Sequence, residues 1–167
     1  MKNKNIKFCG KLIGSGQPAF IVAEIGFNHN GDVELAKKMI ESAALNGADA
    51  VKLQTFLAKE MISNSLLADD PDNPGNEIPF YEFFQRYELS RSDYEILFAY
   101  AKSINIPLFS TPFDEASLEM LVDLGMPAVK IASPDLTFIP FLEKVAETGL
   151  PVVLSTGMGN EEEISQA

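Results

Sequence analysis

Gly47-Ala-Asp-Ala-Val-Lys-Leu-Gln54 sets the architecture of this chain, because its form returns at Asn105-Ile-Pro-Leu-Phe-Ser-Thr111, Gly125-Met-Pro-Ala-Val-Lys-Ile-Ala-Ser133 and Gly149-Leu-Pro-Val-Val-Leu-Ser-Thr156. In each, a turn-forming residue ends the segment before it, and a short apolar run follows that finishes on polar residues. Gly supplies a left-handed helix cap, and Pro two residues later prevents the helix from continuing. Phe20-Ile-Val-Ala-Glu-Ile25 is an earlier strand of the same kind, giving about five. The segments between them carry helix starts: Asp32 ahead of Leu35, Met39/Ile40 and Ala43/Ala44; Ser90-Arg-Ser-Asp93 as a capping box; Asp114 ahead of Leu118, Leu121 and Val122. Phe141, Leu142, Val145 and Ala146 repeat the helical spacing. Strands that are apolar throughout and alternate with helices predict a parallel α/β sheet.

Outside this repeat lie three segments. Residues 6–16, with Gly10, Gly14 and Gly16, read as a hairpin, so that 1–17 forms an extension ahead of a domain over 18–167. Residues 57–89 are too long for an ordinary connection, and Asp69-Asp-Pro-Asp-Asn-Pro-Gly-Asn76 at their centre is turn chemistry. They are either a disordered excursion or a lid over the strand ends. Asn160-Glu-Glu-Glu163 starts a helix that has no room to bury a face before Ala167, which implies further chain.

The totals exclude several classes. The 167 residues suffice for one domain with a core, and 46% hydrophobic against 22% charged residues is the balance of a folded protein. A net charge of −11 without a basic stripe argues against nucleic acid and anionic membranes as partners. The apolar runs fall short of the ~20 residues that span a bilayer, and the basic start Met1-Lys-Asn-Lys-Asn5 precedes no signal core. The single Cys9 permits no internal disulfide, fits a cytoplasmic location, and reads as a small core residue rather than a nucleophile.

In parallel α/β folds ligands bind at the carboxyl ends of the strands. The polar residues there are Glu24, Lys52, Gln54, Ser110, Thr111, Lys130, Ser133, Asp135, Ser155 and Thr156. Lys52 and Lys130 stand inside apolar strands, where an ammonium is costly unless paired or bound to an anion. Alternation puts Ala50, Lys52 and Gln54 on one face and Ala128, Lys130 and Ala132 on one face, leaving Val51, Leu53, Val129 and Ile131 toward helices. Glu24 groups with Val22, and Ser155 with Val153. Two readings follow: a core ion network of both lysines with Glu24 and Asp135, or an anion site. The recurrence of one arrangement on two independent strands, with hydroxyls nearby, favours the anion site. Ser155-Thr-Gly-Met-Gly159 offers backbone N–H groups to a phosphate, a weak signal alone. His29, the single histidine, helps a turn or contacts substrate and cannot make a metal site by itself.

Ala23-Glu-Ile-Gly-Phe-Asn-His-Asn-Gly31, Gly47-Ala-Asp-Ala-Val-Lys-Leu-Gln-Thr55, Phe109-Ser-Thr-Pro-Phe113, Val129-Lys-Ile-Ala-Ser133 and Leu154-Ser-Thr-Gly-Met158, in this order and spacing, resemble the N-acetylneuraminate (sialic acid) synthase family, with its legionaminic and pseudaminic acid relatives. The resemblance implies a (β/α)8 TIM barrel of which this chain holds about the first five β/α units, followed in the family by an antifreeze-like domain. It implies a homodimer and condensation of phosphoenolpyruvate with an N-acetyl-hexosamine-type sugar, aided by Mn2+ or Mg2+ acting as a Lewis acid on the sugar aldehyde. Carried over by position, Lys52, Lys130, Ser133, Ser155 and Thr111 bind phosphoenolpyruvate, Gln54 and Asn76 face the sugar, and Glu24 and Asp135 are catalytic. Asp135 stands where family members carry Glu. The two metal-binding histidines are expected downstream, with none of the metal's ligands in this chain.

Two rivals remain: a pyruvate aldolase forming a Schiff base on Lys52 or Lys130, and a non-catalytic sugar- or phosphate-binding fragment. Five strands in barrel order are expected to leave the first and fifth with open edges, and Val22, Ala50, Ala128 and Val153 facing water.

Overall fold

The recurring segments pair into one parallel sheet in the computed structural model, which describes residues 5–70 and 72–167. The basic start over 1–4 lies outside the described residues, as does Pro71 of the central turn. In chain order the elements are β1 (Ile6–Phe8), β2 (Lys11–Ile13), β3 (Val22–Gly26), α1 (Val33–Leu45), β4 (Ala50–Thr55), α2 (Ala58–Met61), β5 (Leu67–Asp69), β6 (Glu77–Pro79) and α3 (Phe80–Gln85). There follow α4 (Arg91–Ser103), β7 (Leu108–Pro112), α5 (Glu115–Asp123), β8 (Val129–Ile131), a 3-10 turn over Ser133–Asp135, α6 (Ile139–Glu147), β9 (Val152–Leu154) and α7 (Glu161–Gln166). The sheet order is β3-β4-β7-β8-β9, each strand beside the one before it in the chain and parallel to it.

The punctuation read from sequence is what shapes the units. Gly47, Gly125 and Gly149 hold φ of +83°, +81° and +65°, and Asn105 adopts +58° in the equivalent place. Asn tolerates the left-handed region better than most residues, so it serves where the other three repeats use Gly. Asp32 accepts from the Glu34 and Leu35 amides, Ser90 and Asp93 form a reciprocal capping box, and Asp114 accepts from the Ser117 amide. Each cap satisfies amide donors that a helix start leaves without partners.

Alternation then sorts the faces. Val51, Leu53, Val129 and Ile131 are fully buried beside Ile40, Leu97, Leu121 and Phe141 in the core between sheet and helices. The opposite face is partly filled from below. The β1–β2 hairpin, antiparallel with Phe8 across from Lys11, brings Phe8 edge-on to Phe109 at 5.8 Å and to Phe20 at 5.2 Å. This corrects one expectation: Ala50 and Ala128 are fully buried rather than facing water, whereas Val22 and Val153 on the edge strands remain 37% and 39% exposed.

Apart from Pro71, which lies outside the described residues, residues 57–89 take up defined structure. Helix α2, the antiparallel pair β5–β6 (Leu67 opposite Pro79, Asp69 opposite Glu77) and α3 make a compact excursion. Of the two readings of this segment, the disordered one is ruled out.

Candidate active site

Three strands end on the same aromatic device. Phe27, Phe56 and Phe113 directly follow β3, β4 and β7, and Phe27 and Phe56 pack edge-on at 6.1 Å. Phe84 of α3 meets Phe56 at 5.6 Å and Phe27 at 6.0 Å; Tyr87 meets Phe27 at 5.5 Å, and Phe113 meets Phe56 at 6.5 Å. Edge-to-face pairs of this kind add to the area they bury. The excursion is thereby seated on the carboxyl end of the sheet. Leu57 is tied to the same end, its amide donating to Asp114 Oδ2 at 2.8 Å. Sequence reasoning missed this cluster, although the placement of a Phe immediately after each of three strands was a signal that could have found it.

Lys52 stands at that end with 7% of its surface exposed. Its Nζ donates to Thr111 Oγ1 at 2.9 Å and to the Leu53 carbonyl at 3.3 Å, and pairs with Glu24 Oε2 at 2.8 Å. An ammonium has three N–H groups, so every donor is engaged. The register explains the meeting: Glu24 lies across from Lys52, and Gln54 across from Thr111. The ion-network reading is therefore realised for Lys52 and Glu24. Glu24 is nonetheless the replaceable partner, with about half its side chain in solvent, while Thr111 is buried.

Gly26 permits this convergence. It has φ +59°, and a Cβ there would lie 3.2 Å from Glu24 Oε1, 3.6 Å from Gln54 Oε1 and 3.8 Å from Asn28 Nδ2. A side chain at 26 would crowd the tips that gather round it.

Lys130 is half-buried and donates to the Ile131 carbonyl. Burial lowers its pKa, and the Lys52 charge lowers it further, against the opposing pull of Glu24 and Asp135. The two lysines thus share one electrostatic site. Burial raises the Asp135 pKa, with Lys130 drawing it back, and Asp135 Oδ2 is buried without a hydrogen-bond partner. Ser133 opens the 3-10 turn after β8, and a Cβ on Gly157 would stand 3.7 Å from its Oγ. The Ser155 amide donates to the Ile131 carbonyl at 3.1 Å, extending the β8–β9 pairing, so Ser133 and Ser155 border one turn.

Three residues stand apart. Ser110 faces the helices, across from Leu53 and Val129, and bonds Thr55 Oγ1 at 2.7 Å, so it leaves the set of strand-end polar groups. Asn76 is exposed on the turn between β5 and β6, and among the described residues its side chain bonds none of the others. Thr156 is exposed.

His29 is buried, 1% exposed, and its Nδ1 accepts from the Gly31 amide at 3.1 Å. That fixes the neutral ring with its proton on Nε2, an atom buried without a partner. The turn reading is the one realised. Burial lowers the His29 pKa, with Asp32 opposing. Because the unfolded ring binds protons more tightly, this contribution to stability is complete above the unfolded pKa and is lost as pH falls below it. Stability is expected to fall from pH 7 to pH 5 with a slope up to about 1.4 kcal/mol per pH unit steeper than in His29→Gln. Urea midpoints measured across that range test it; identical slopes would mean the ring is not held neutral.

Among the described residues no group of three His, Cys, Asp or Glu side chains is placed to hold a metal. Among the described residues no helix is long and apolar enough to cross a membrane. A cleft of about 1180 Å³ lies at the opposite end of the sheet, lined by Asp49, Pro107, Pro127 and Pro151 ahead of their strands and by Lys11 and Lys102. It is remote from the lysines, and we assign it no role in the site.

Comparison with known proteins gives a consistent answer. Residues 39–167 match the model of the NeuB family. The chain is 39% identical over 156 residues to the N,N'-diacetyllegionaminic acid synthase of Legionella pneumophila, covering 92% of this chain and 44% of that protein. It superposes with a TM-score of 0.85 and 33% identity on the N-acetylneuraminic acid synthetase of Leptospira borgpetersenii, solved with citrate, covering 98% of this chain and 53% of that one. A truncated 3-deoxy-D-arabino-heptulosonate 7-phosphate synthase of Thermotoga maritima, 15% identical with a TM-score of 0.66, shares the fold. The chain thus spans about half the length of the relatives it matches.

Proposed function

The chain belongs to the NeuB family, and from that premise we propose that it is the first part of a synthase that condenses phosphoenolpyruvate with an N-acetylated hexosamine, releasing phosphate and a nine-carbon 2-keto acid. The five sequential parallel strands are then the first five of a (β/α)8 barrel, a reading supported by an order that never reverses, as it would in a doubly wound sheet. The observation that carries the proposal is the placement of Lys52 and Lys130 within two parallel strands of one sheet, with Lys52 buried against Glu24 and Thr111.

In this reading the substrate's oxyanions take the places of Glu24 and Thr111 on Lys52, while Lys130, Ser133, Ser155 and the freed Thr111 hydroxyl complete the grip. Fixing the reactant in this way is positioning, which lowers the barrier without a covalent bond to the protein. The terminal alkene carbon of phosphoenolpyruvate attacks the sugar aldehyde carbon, so that a carbon–carbon bond forms as the carbonyl π bond opens, and the aldehyde oxygen takes up a proton to become a hydroxyl. Positive charge appears at the phosphate-bearing carbon, which the carboxylates of Asp135 and Glu24 stabilise. Water adds there, one of these carboxylates accepts its proton, and the carbon–oxygen bond to phosphate breaks. Gln54 and Asn76 are assigned to the sugar.

A divalent ion does not fit the donor set of these residues, since no cluster of ligands exists among them and the sole imidazole is committed to its own turn. We place the ligands for Mn2+ or Mg2+ in chain beyond these residues, and the complete protein in the cytoplasm as a homodimer.

In the complete protein, phosphate release from phosphoenolpyruvate should depend on N-acetylmannosamine or a related N-acetyl sugar. Borohydride treatment with pyruvate should leave Lys52 and Lys130 unmodified. A trapped pyruvyl lysine, with condensation that needs no phosphate, would establish the aldolase instead. Ligand binding without turnover would establish a binding protein.

A further inference from the structure

We propose that Arg86 is a positioning residue for sugar recognition, holding the turn that carries Asn76 at the end of the sheet where the two lysines stand. The inference rests on the function proposed above for its substrate, and on the following geometry for its mechanism.

Arg86 is the C-cap of α3 and sits between two parts of the excursion. Its neighbours in the chain, Phe83, Phe84 and Tyr87, belong to the aromatic cluster, so its backbone is fixed to the strand ends. Its carbonyl also abuts the turn after β3. A Cβ on Gly31, where φ is +74°, would lie 2.5 Å from Arg86 O, so only Gly allows that approach. From this anchored point the guanidinium reaches the tip of the β5–β6 pair, with Nη1 2.5 Å from Asp72 Oδ2 and Nη2 3.6 Å from Asp70 Oδ1.

The tip is organised around Asp70, which is 8% exposed. Its carboxylate accepts from Asn73 Nδ2 at 2.8 Å and from the Asp72 amide at 3.0 Å, and these bonds, with Arg86, hold its pKa below the usual range. Its amide donates to the Asn76 carbonyl at 2.8 Å, and the Asn76 amide donates to the Asn73 carbonyl at 3.1 Å. Asn76 therefore takes its place from this turn. Asp69, Asp70, Asp72 and Glu77 crowd negative charge onto a few residues, and the ion pairs of Asp70 and Asp72 among the described residues are both made by Arg86. The pair with Asp72 is exposed, and such pairs contribute little to global stability, while the buried Asp70 keeps its Asn73 and Asp72 donors when the guanidinium is gone. Removal of this one should therefore loosen the turn without unfolding the sheet.

In the complete protein, Arg86→Ala is expected to raise KM for the N-acetyl sugar about tenfold, with KM for phosphoenolpyruvate and kcat within about twofold of the parent. Arg86→Lys should restore part of the loss, since an ammonium lacks the fork that spans two carboxylates. Hydrogen exchange gives a readout that does not depend on activity. The amides of Asp70, Asp72 and Asn76 should exchange faster in Arg86→Ala, while those of Val51 and Val129, bonded to the Pro107 and Pro151 carbonyls, are unchanged. Unchanged exchange at the turn, an equal rise in both KM values, or faster exchange throughout the sheet would overturn the assignment. If the parent condenses no sugar, the proposed function fails, and the exchange data still decide whether Arg86 holds the turn.

Discussion

Lys52→Ala in the complete protein is expected to remove measurable phosphate release, lowering kcat/KM for phosphoenolpyruvate by at least roughly 10²-fold. Lys52 offers three donors, and those now given to Glu24 and Thr111 are the ones an oxyanion would recruit. A hydrogen bond to a charged group contributes about 1.5–3 kcal/mol, so two of them lost together exceed about 3 kcal/mol, or roughly 10²-fold. Folding should tolerate the change better than turnover does, because Glu24 keeps half its side chain in water once the partner is gone. Lys52→Met separates the two effects, as it retains most of the buried stem without the charge. Lys130→Ala should behave similarly. In Lys52→Met the Lys130 pKa should rise, since one of the charges that lowers it has been removed. Near-parent activity in Lys52→Met would sink the anion site.

The 167-residue chain in isolation should self-associate and show no synthase activity. Among the described residues, strands β3 and β9 each pair on one side only. Ile21 and Val22 beside or within the first, and Val152 and Val153 within the last, are 54%, 37%, 46% and 39% exposed. Unpaired edges that carry β-branched apolar residues are templates for pairing with another copy. Sedimentation equilibrium over a concentration series should show mass rising with concentration. A monomer throughout, with phosphate released from phosphoenolpyruvate and N-acetylmannosamine, would overturn the expectation and favour a self-sufficient open sheet. The buried Ala50 and Ala128 moderate the driving force, because Phe8 and Phe109 already cover part of that face.

Much of the molecule was legible because its signals are local. The caps at Asp32, Ser90, Asp114 and Asn160 are hydrogen bonds spanning two or three residues, so the side chain and the amides it satisfies are adjacent in the sequence. The strand faces were legible because alternation along a strand has a period of two whatever the strand packs against. For that reason Lys52 could be grouped with Ala50 and Gln54, Lys130 with Ala128 and Ala132, and Glu24 with Val22, before any coordinates.

Other features depend on which strands become neighbours and on what lies beyond them. The Glu24–Lys52–Thr111 contact needs β3, β4 and β7 side by side in one register. Ser110 looked like a strand-end ligand, and faces Thr55 instead because its register partner is Leu53. Residues 57–89 have little periodicity of their own. They are ordered by Phe27, Phe56 and Phe113, which lie in three other loops and meet Phe84 and Tyr87 only after the sheet has formed. Composition and periodicity thus set the elements and their faces, since each follows from bonds between near neighbours in the chain. The seating of the excursion, the turn held by Arg86 and the burial of His29 awaited the assembled sheet, because the groups that stabilise them are brought together only when distant segments close on one another.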